Sequence, residues 1–100
     1  MRLAPNLMPA IRPIAELRAH TNWVAALAFS PDGRHLASAG WDHAIRVWDV
    51  AASKESQTLA GNVSEIYCLA FSPDGGTLAS GSHDFVVRLF DVGTGQLRAE

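Results

Sequence analysis

Three residues of this 100-residue chain, His20, Ser38 and Asp42, are the types that form a catalytic triad. In such a triad the aspartate orients the histidine, which removes the proton of the serine hydroxyl. Catalysis also needs an exposed nucleophile, donors for an oxyanion and a substrate cleft. Since no motif in the sequence supplies these, we favour a structural role for the three residues and predict no enzymatic activity.

Metal binding and phosphate binding are the next chemistries to consider. The candidate metal ligands are His20, His35, His43, His83 and Cys68. They include no Cys-x-x-Cys pair and no histidine pair at i, i+4. The glycines of Asp74-Gly75-Gly76 and Gly93-Thr94-Gly95 belong to turns and do not lead into a helix, as a phosphate site would require. The sequence therefore predicts no metal and no cofactor, and Cys68 is expected to pack as a small hydrophobe in an inner strand.

Composition narrows the classes of partner. Lys and Arg total 8 and Asp and Glu total 10, giving a formal charge of −2, so the chain offers no basic field for nucleic acid. No apolar stretch is long enough to span a bilayer. A single cysteine fits a reducing compartment. These features predict a soluble, cytoplasmic protein that binds neither nucleic acid nor membrane.

The chain repeats itself with a period of 42 residues. Shifting it by this distance places Leu27–Gly33 on Leu69–Gly75 and Leu36–Ser38 on Leu78–Ser80, with 15 identities over the 42 positions that start at Leu17. No gap is needed. One structural unit therefore occurs twice.

Each copy contains four short β-prone runs separated by turn signals such as Ser-Pro-Asp-Gly. The predicted strands are 23–29, 34–39, 44–50 and 55–60 in copy one, and 65–71, 77–81, 86–91 and 96–100 in copy two. Runs such as Val24–Phe29 are apolar on both faces, so a sheet built from them must be covered on both faces. Stacking identical small sheets around an axis achieves this and predicts an all-β propeller.

At this point the sequence resembles the WD-repeat family of β-propellers. The resemblance rests on Leu-Ala-Phe-Ser-Pro-Asp-Gly in both copies, Ala19-His20 at the position of the family's Gly-His, and Trp48-Asp49 at the end of a third strand. Copy two departs from the pattern with Gly61-Asn62 and Phe90-Asp91. The resemblance implies two four-stranded antiparallel blades and a leading outer strand, which form an incomplete ring.

The implied organisation has four parts: an N-terminal tail (1–10), the outer strand of a preceding blade (11–18), blade one (19–60) and blade two (61–100). Two blades cannot close a ring, and each would leave an apolar face exposed. We therefore expect either part of a larger propeller or a chain that completes a ring with copies of itself.

The family pattern also implies a hydrogen-bonded structural tetrad in each blade. In blade one it comprises His20, Ser38, Asp42 and Trp48. The degenerate second tetrad comprises Asn62, Ser80, Asp84 and Phe90. Because Phe90 cannot donate a hydrogen bond, we expect the second blade to be less firmly held, and Asp42→Ala to destabilise the chain more than Asp84→Ala.

The resemblance further implies that one face of the propeller, the top face, binds partners. The corresponding positions are Thr21, Trp23, Trp41, Val63, Glu65 and His83. Phe85 is another candidate exposed contact, whereas Arg46 and Arg88 are expected either in blade-to-blade packing or as solvated third-strand residues. The expected function is a non-catalytic scaffold for protein or peptide partners, or for further blades of the same or another chain. The alternatives are a sensing or docking part of a larger enzyme, such as a kinase-fused propeller, and self-associating blades.

Overall fold

The computed structural model describes residues 15–59 and 64–99, which form two four-stranded antiparallel sheets. Blade one has the strand order β1-β2-β3-β4 and blade two β5-β6-β7-β8. The strands of blade one are β1 (Val24–Phe29), β2 (His35–Gly40), β3 (Ile45–Asp49) and β4 (Lys54–Leu59). Those of blade two are β5 (Ile66–Phe71), β6 (Thr77–Ser82), β7 (Val87–Asp91) and β8 (Gln96–Ala99). The predicted all-β class is confirmed.

The Ser-Pro-Asp-Gly turns explain why the first two strands of each blade pair. The Ser30 hydroxyl donates to Asp32 Oδ1 at 2.6 Å, and the same carboxylate oxygen accepts the Arg34 N–H at 3.0 Å. Gly33 has a φ of 74°, which costs glycine little. Ser72, Asp74 and Gly75 repeat this geometry in blade two. The turns are therefore local devices that the sequence specifies twice.

The first strand begins at Val24, one residue later than predicted. A register shift between Val24 and Ala26 marks a β-bulge, and the Trp23 carbonyl accepts the Trp41 N–H at 2.9 Å instead of continuing the ladder. The two backbone segments approach each other so closely here that a Cβ on Gly40 would lie 1.8 Å from the Trp23 carbonyl oxygen. Glycine at position 40 thus allows Trp23 and Trp41 to meet.

The core lies between the two blades. Blade one contributes the small and branched residues Ala37, Ala39, Ile45, Val47 and Leu59, against which blade two packs Ile66, Leu78 and Phe90. Each blade is therefore covered on one face by its neighbour. On the other faces large apolar residues remain exposed, including Phe29 in blade one and Val87 in blade two. One covered and one open apolar face on each blade agrees with the expectation for two blades that do not close a ring.

One expectation about an individual side chain is wrong. Cys68 is exposed, not packed in the interior, because its side of blade two has no neighbouring blade among the described residues. Of the two alternatives for Arg88, the solvated one does not hold: Arg88 is buried on the face of β7 that also carries Phe90, and its guanidinium binds the Asp84 carboxylate at 2.7 Å. Arg46 pairs with Glu55 at 3.0 Å across β3 and β4. Both arginines thus hold strands and turns of a single blade together.

Some predicted features lie outside the described residues: the tail at 1–10, residues 11–14 of the outer strand, Asn62, Val63 and Glu100. Residues 15–18 pair with neither sheet. The outer strand over 11–18 therefore stays a prediction.

Candidate functional site

A buried polar network ties the entry segment of blade one to its second and third strands. His20 Nδ1 lies 2.8 Å from Asp42 Oδ2, and His20 Nε2 lies 2.6 Å from Ser38 Oγ. The Trp48 indole N–H donates to the same Ser38 oxygen at 2.7 Å. The four side chains named by the family pattern therefore form one continuous chain of hydrogen bonds.

The geometry assigns a proton role to each group of this network. With its proton on Nδ1, His20 donates to Asp42 and accepts the Ser38 hydroxyl proton, while Ser38 accepts from Trp48. Every polar side-chain atom then has a partner. Ser38 is 5% exposed and Trp48 4%, so a substrate has no approach to the hydroxyl. A buried serine whose hydroxyl donates to His20 and accepts from Trp48 suits cross-linking of the blade better than nucleophilic attack.

Asp42 is the hub of the network. Its Oδ2 also accepts the Thr21 N–H at 3.0 Å, and its Oδ1 accepts the Ala44 N–H at 3.2 Å. Burial raises the pKa of this carboxyl, but the hydrogen bonds from Thr21, His20 and Ala44 more than offset it, and the pKa lies below its ordinary value of 3.8. The carboxylate thus joins the segment before β1 to the turn after β2.

The second blade lacks this chain of bonds among the described residues. Ser80 Oγ is buried and has no hydrogen-bond partner there, since Phe90 occupies the position of Trp48 and offers no donor. Asp84 instead accepts from the Arg88 guanidinium and from the Val86 N–H at 3.2 Å. Arg88 is the main cause of the lowered pKa of Asp84. An ion pair within the blade therefore takes the place of the histidine-centred network.

A row of four aromatic rings crosses from blade one to blade two. The ring centroids of Trp23 and Trp41 are 4.8 Å apart, those of Trp41 and Tyr67 6.3 Å, and those of Tyr67 and His83 5.9 Å. These spacings are within the range of favourable aromatic pairs. Trp23 is 69% exposed and Tyr67 46%. We call these four residues the aromatic row.

The aromatic row contains three of the six predicted partner-binding residues: Trp23, Trp41 and His83. Thr21 lies beside it, exposed, with its N–H on Asp42. Glu65 is partly buried, and its carbonyl accepts the His83 N–H at 2.9 Å. Val63 lies outside the described residues.

Sequence reasoning missed Tyr67. This residue is the extra one in a β-bulge between Ile66 and Cys68, which turns its ring towards Trp41. Its counterpart in copy one is Ala25, so the repeat comparison carried no aromatic signal. The only signal in the sequence was a tyrosine within the otherwise apolar run Ile66–Phe71.

Other chemistries find little support in residues 15–59 and 64–99. Within these ranges no three His, Cys, Asp or Glu side chains come close enough together to hold a metal ion. Nor does this part of the chain include a helix with the length and apolar character needed to cross a membrane.

Comparison with known proteins identifies the fold. The family model of the WD domain, G-beta repeat, matches residues 11–49 and 53–91. The chain belongs to the WD-repeat family. The second match starts just before β4 and ends with β7, so the sequence repeat and the blade are offset by one strand. Membership of this family supports a protein-interaction scaffold in general terms.

Three relatives illustrate the family's range. Ribosome assembly protein 4 of Saccharomyces cerevisiae is 43% identical over 44 residues, which are 44% of this chain and 8% of that protein. Antiviral protein SKI8 of the same yeast is 42% identical over 48 residues, 48% of this chain and 12% of that protein. Nuclear distribution protein PAC1 of Meyerozyma guilliermondii is 46% identical over 55 residues, which cover 53% of this chain and 10% of that protein. The WD-repeat chain spans about a tenth of the length of these relatives.

The lowered carboxyl pKa values predict how the stability of this WD-repeat chain depends on pH. The affected groups are Asp32, Asp42, Glu65, Asp74 and Asp84. Because their pKa values are lower in the folded state, the unfolded state takes up protons first as the pH falls. Urea unfolding should show constant stability from pH 7 to about 5 and a steady loss below about pH 4. Asp42→Asn should make this loss shallower, and a stability that rises between pH 5 and 3 would contradict the prediction.

Proposed function

We propose that this WD-repeat chain is a non-catalytic, cytoplasmic interaction module that binds a peptide or protein segment across the aromatic row. The observation that carries the proposal is the continuous line of rings from Trp23 to His83, which spans both blades. Aromatic side chains with one exposed face supply large contact areas at a small cost in conformational entropy. An extended segment laid along the row would contact both blades at once.

The scaffold beneath the row supports this role. The backbone of Trp23 and Trp41 is joined by the hydrogen bond from the Trp41 N–H to the Trp23 carbonyl, and the turn that carries Trp41 is held by the Asp42 network. Tyr67 Oη lies 3.3 Å from His83 Nδ1, so the second half of the row is also linked. Rings that are held before binding lose little freedom on binding.

The buried serine favours binding over catalysis. Ser38 is the best-placed nucleophile by residue type, yet its hydroxyl is occupied by His20 and Trp48. We therefore propose that the Ser-His-Asp arrangement stabilises the blade on which the row is mounted. Hydrolase activity that disappears in a folded Ser38→Ala variant would contradict this assignment.

Peptide selection tests the proposed binding surface. A phage-displayed library of random 12-residue peptides is panned against the chain, and the affinities of enriched peptides are measured for the unmodified chain and for Trp23→Ala. We expect Trp23→Ala to weaken binding at least about tenfold, since aromatic anchors dominate such interfaces. Tyr67→Ala should act in the same direction.

Phe85→Asn is the matched control, because Phe85 is 98% exposed but does not belong to the row. Asparagine also tolerates the φ of 67° at this position. This change should leave the peptide affinities within about twofold, a small part of the loss expected of an anchor residue. Peptides that bind Trp23→Ala as tightly as the unmodified chain would refute the proposed site.

A further inference from the structure

At the interface between the two blades, one blade contributes large side chains and the other contributes small or branched ones. From blade two, large apolar residues face the interface: Ile66, Leu69, Phe71, Leu78, Phe90 and Val92. From blade one, small or branched residues receive them, among them Ala37, Ala39, Ile45 and Val47. Large side chains that enter the spaces above small ones fill an interface without voids. The interface therefore has a direction, with different surfaces on its two sides.

The repeat of 42 residues places a second copy of each surface on the outside of the chain. The leading face of blade one consists of the counterparts of the large side chains: Val24, Leu27, Phe29, Leu36, Trp48 and Val50. The trailing face of blade two consists of the counterparts of the small or branched ones: Cys68, Ala70, Ala79, Gly81, Val87 and Leu89. The leading face also carries Arg46, the counterpart of Arg88, which shares its side of β3 with Trp48 and is paired with Glu55 at 3.0 Å. The leading face again carries large side chains, and the trailing face again carries mostly small ones.

Exposure shows that most of the residues on the two outer faces lack the cover that their counterparts have, whereas Trp48 is buried within its own blade. Ile66 is fully buried at the interface, whereas Val24 at the same repeat position is 49% exposed. Ile45 is fully buried, whereas Val87 is 59% exposed. Leu27 and Phe29 are 63% and 64% exposed. Exposed apolar faces of this kind mark interaction surfaces.

We propose that a second copy of this chain covers these surfaces, with the leading face of one copy seated on the trailing face of the next. The internal interface is the template for this contact, since it joins the same repeat positions in the same order. Two leading faces would bring large residues against large ones and would lack that fit. The association is therefore head to tail, and it continues from copy to copy until the blades close a ring.

One difference from the template limits the strength of this contact. At the internal interface the Gln57 side-chain amide donates to the Val92 carbonyl at 2.7 Å. The counterpart of Gln57 is Ala99, which cannot donate to Val50 of the next copy. The contact between copies is thus weaker than the internal one, and it should be studied at tens of micromolar rather than at nanomolar concentration. The proposal does not depend on the aromatic row as a binding site.

Sedimentation velocity of the full chain provides the first test. Because each copy contributes two blades, closed rings of six or eight blades correspond to three or four times the 10.7 kDa of the chain. We expect a species of this size at about 50 µM, a concentration at which weak protein contacts of micromolar affinity are populated. A folded monomer at this concentration would overturn the proposal.

Two charged variants test the direction of the contact. Leu27→Asp disables the leading face and Leu89→Asp the trailing face, both at exposed positions that leave the internal interface intact. Each variant alone should be monomeric. Mixed together, they should form a 1:1 complex and nothing larger, because one working leading face and one working trailing face remain.

The mixing result also shows that the variants are folded, and circular dichroism checks each one alone. Phe85→Asn, which removes an exposed ring outside both faces, should sediment like the unmodified chain. If Leu89→Asp still associates while Leu27→Asp does not, the contact joins two leading faces and the head-to-tail proposal is wrong. Failure of the mixed variants to form the 1:1 complex would overturn it equally.

Discussion

Replacing Asp42 by alanine should lower the free energy of unfolding by about 3 kcal/mol, the upper range for removing a charged acceptor that serves several donors. The change leaves the N–H groups of Thr21 and Ala44 and the ring nitrogen of His20 without their acceptor. These donors come from the segment before β1 and from the turn after β2. The loss therefore uncouples two parts of blade one that lie about twenty residues apart in the chain.

Urea unfolding at pH 7 and one protein concentration measures this effect, with two comparison variants. Asp42→Asn keeps an acceptor oxygen and should lose less than Asp42→Ala. Asp84→Ala removes the acceptor for Val86 and the main partner of Arg88, but Arg88 also contacts Ser82 Oγ at 3.4 Å. We expect Asp84→Ala to lower the unfolding midpoint by less than Asp42→Ala. Equal losses of stability would contradict the prediction that the Asp42 network stabilises the chain more than the Asp84–Arg88 ion pair does.

The elements of this fold are predictable because their signals are local and occur twice. Ser30 and Asp32 close a turn whose hydrogen bonds involve residues within five positions, and Ser72 and Asp74 repeat it. Strands between such turns can be located within one or two residues, as β3 and β7 show. A gap-free repeat also fixes the register, since a slip would have to occur in both copies.

Features that depend on contacts between elements were harder to predict. Arg88 is identical to Arg46 in the repeat, yet one binds Asp84 and the other Glu55, because Leu97 stands in copy two where Glu55 stands in copy one. Cys68 is exposed because burial at its position depends on a neighbouring blade, which no local pattern reveals. Tyr67 joins the aromatic row only through the bulge that reorients it.

Ser38 and Ser80 occupy the same repeat position, but their replacement by alanine should change the stability of the chain differently. Ser38→Ala removes the partner of the Trp48 indole N–H and of His20 Nε2, both buried, and should cost about 2 kcal/mol. Ser80→Ala removes a buried hydroxyl that has no partner among the described residues, so none of their hydrogen bonds is lost and a polar atom leaves the interior. We expect this second change to be neutral or slightly stabilising. Thermal and urea unfolding of both variants provide the measurement.

The reason for the difference can be tested by giving blade two the missing donor. Phe90→Trp places an indole N–H at the position of Trp48, where it can reach Ser80 Oγ. The tryptophan itself has a packing cost at this fully buried site, so its stability alone is not decisive. In a double-mutant cycle, Ser80→Ala should cost about 1 kcal/mol more in the Phe90→Trp background than in the unmodified chain. A coupling near zero, or a Ser80→Ala loss as large as that of Ser38→Ala, would mean that the indole–serine bond does not set the difference between the two blades.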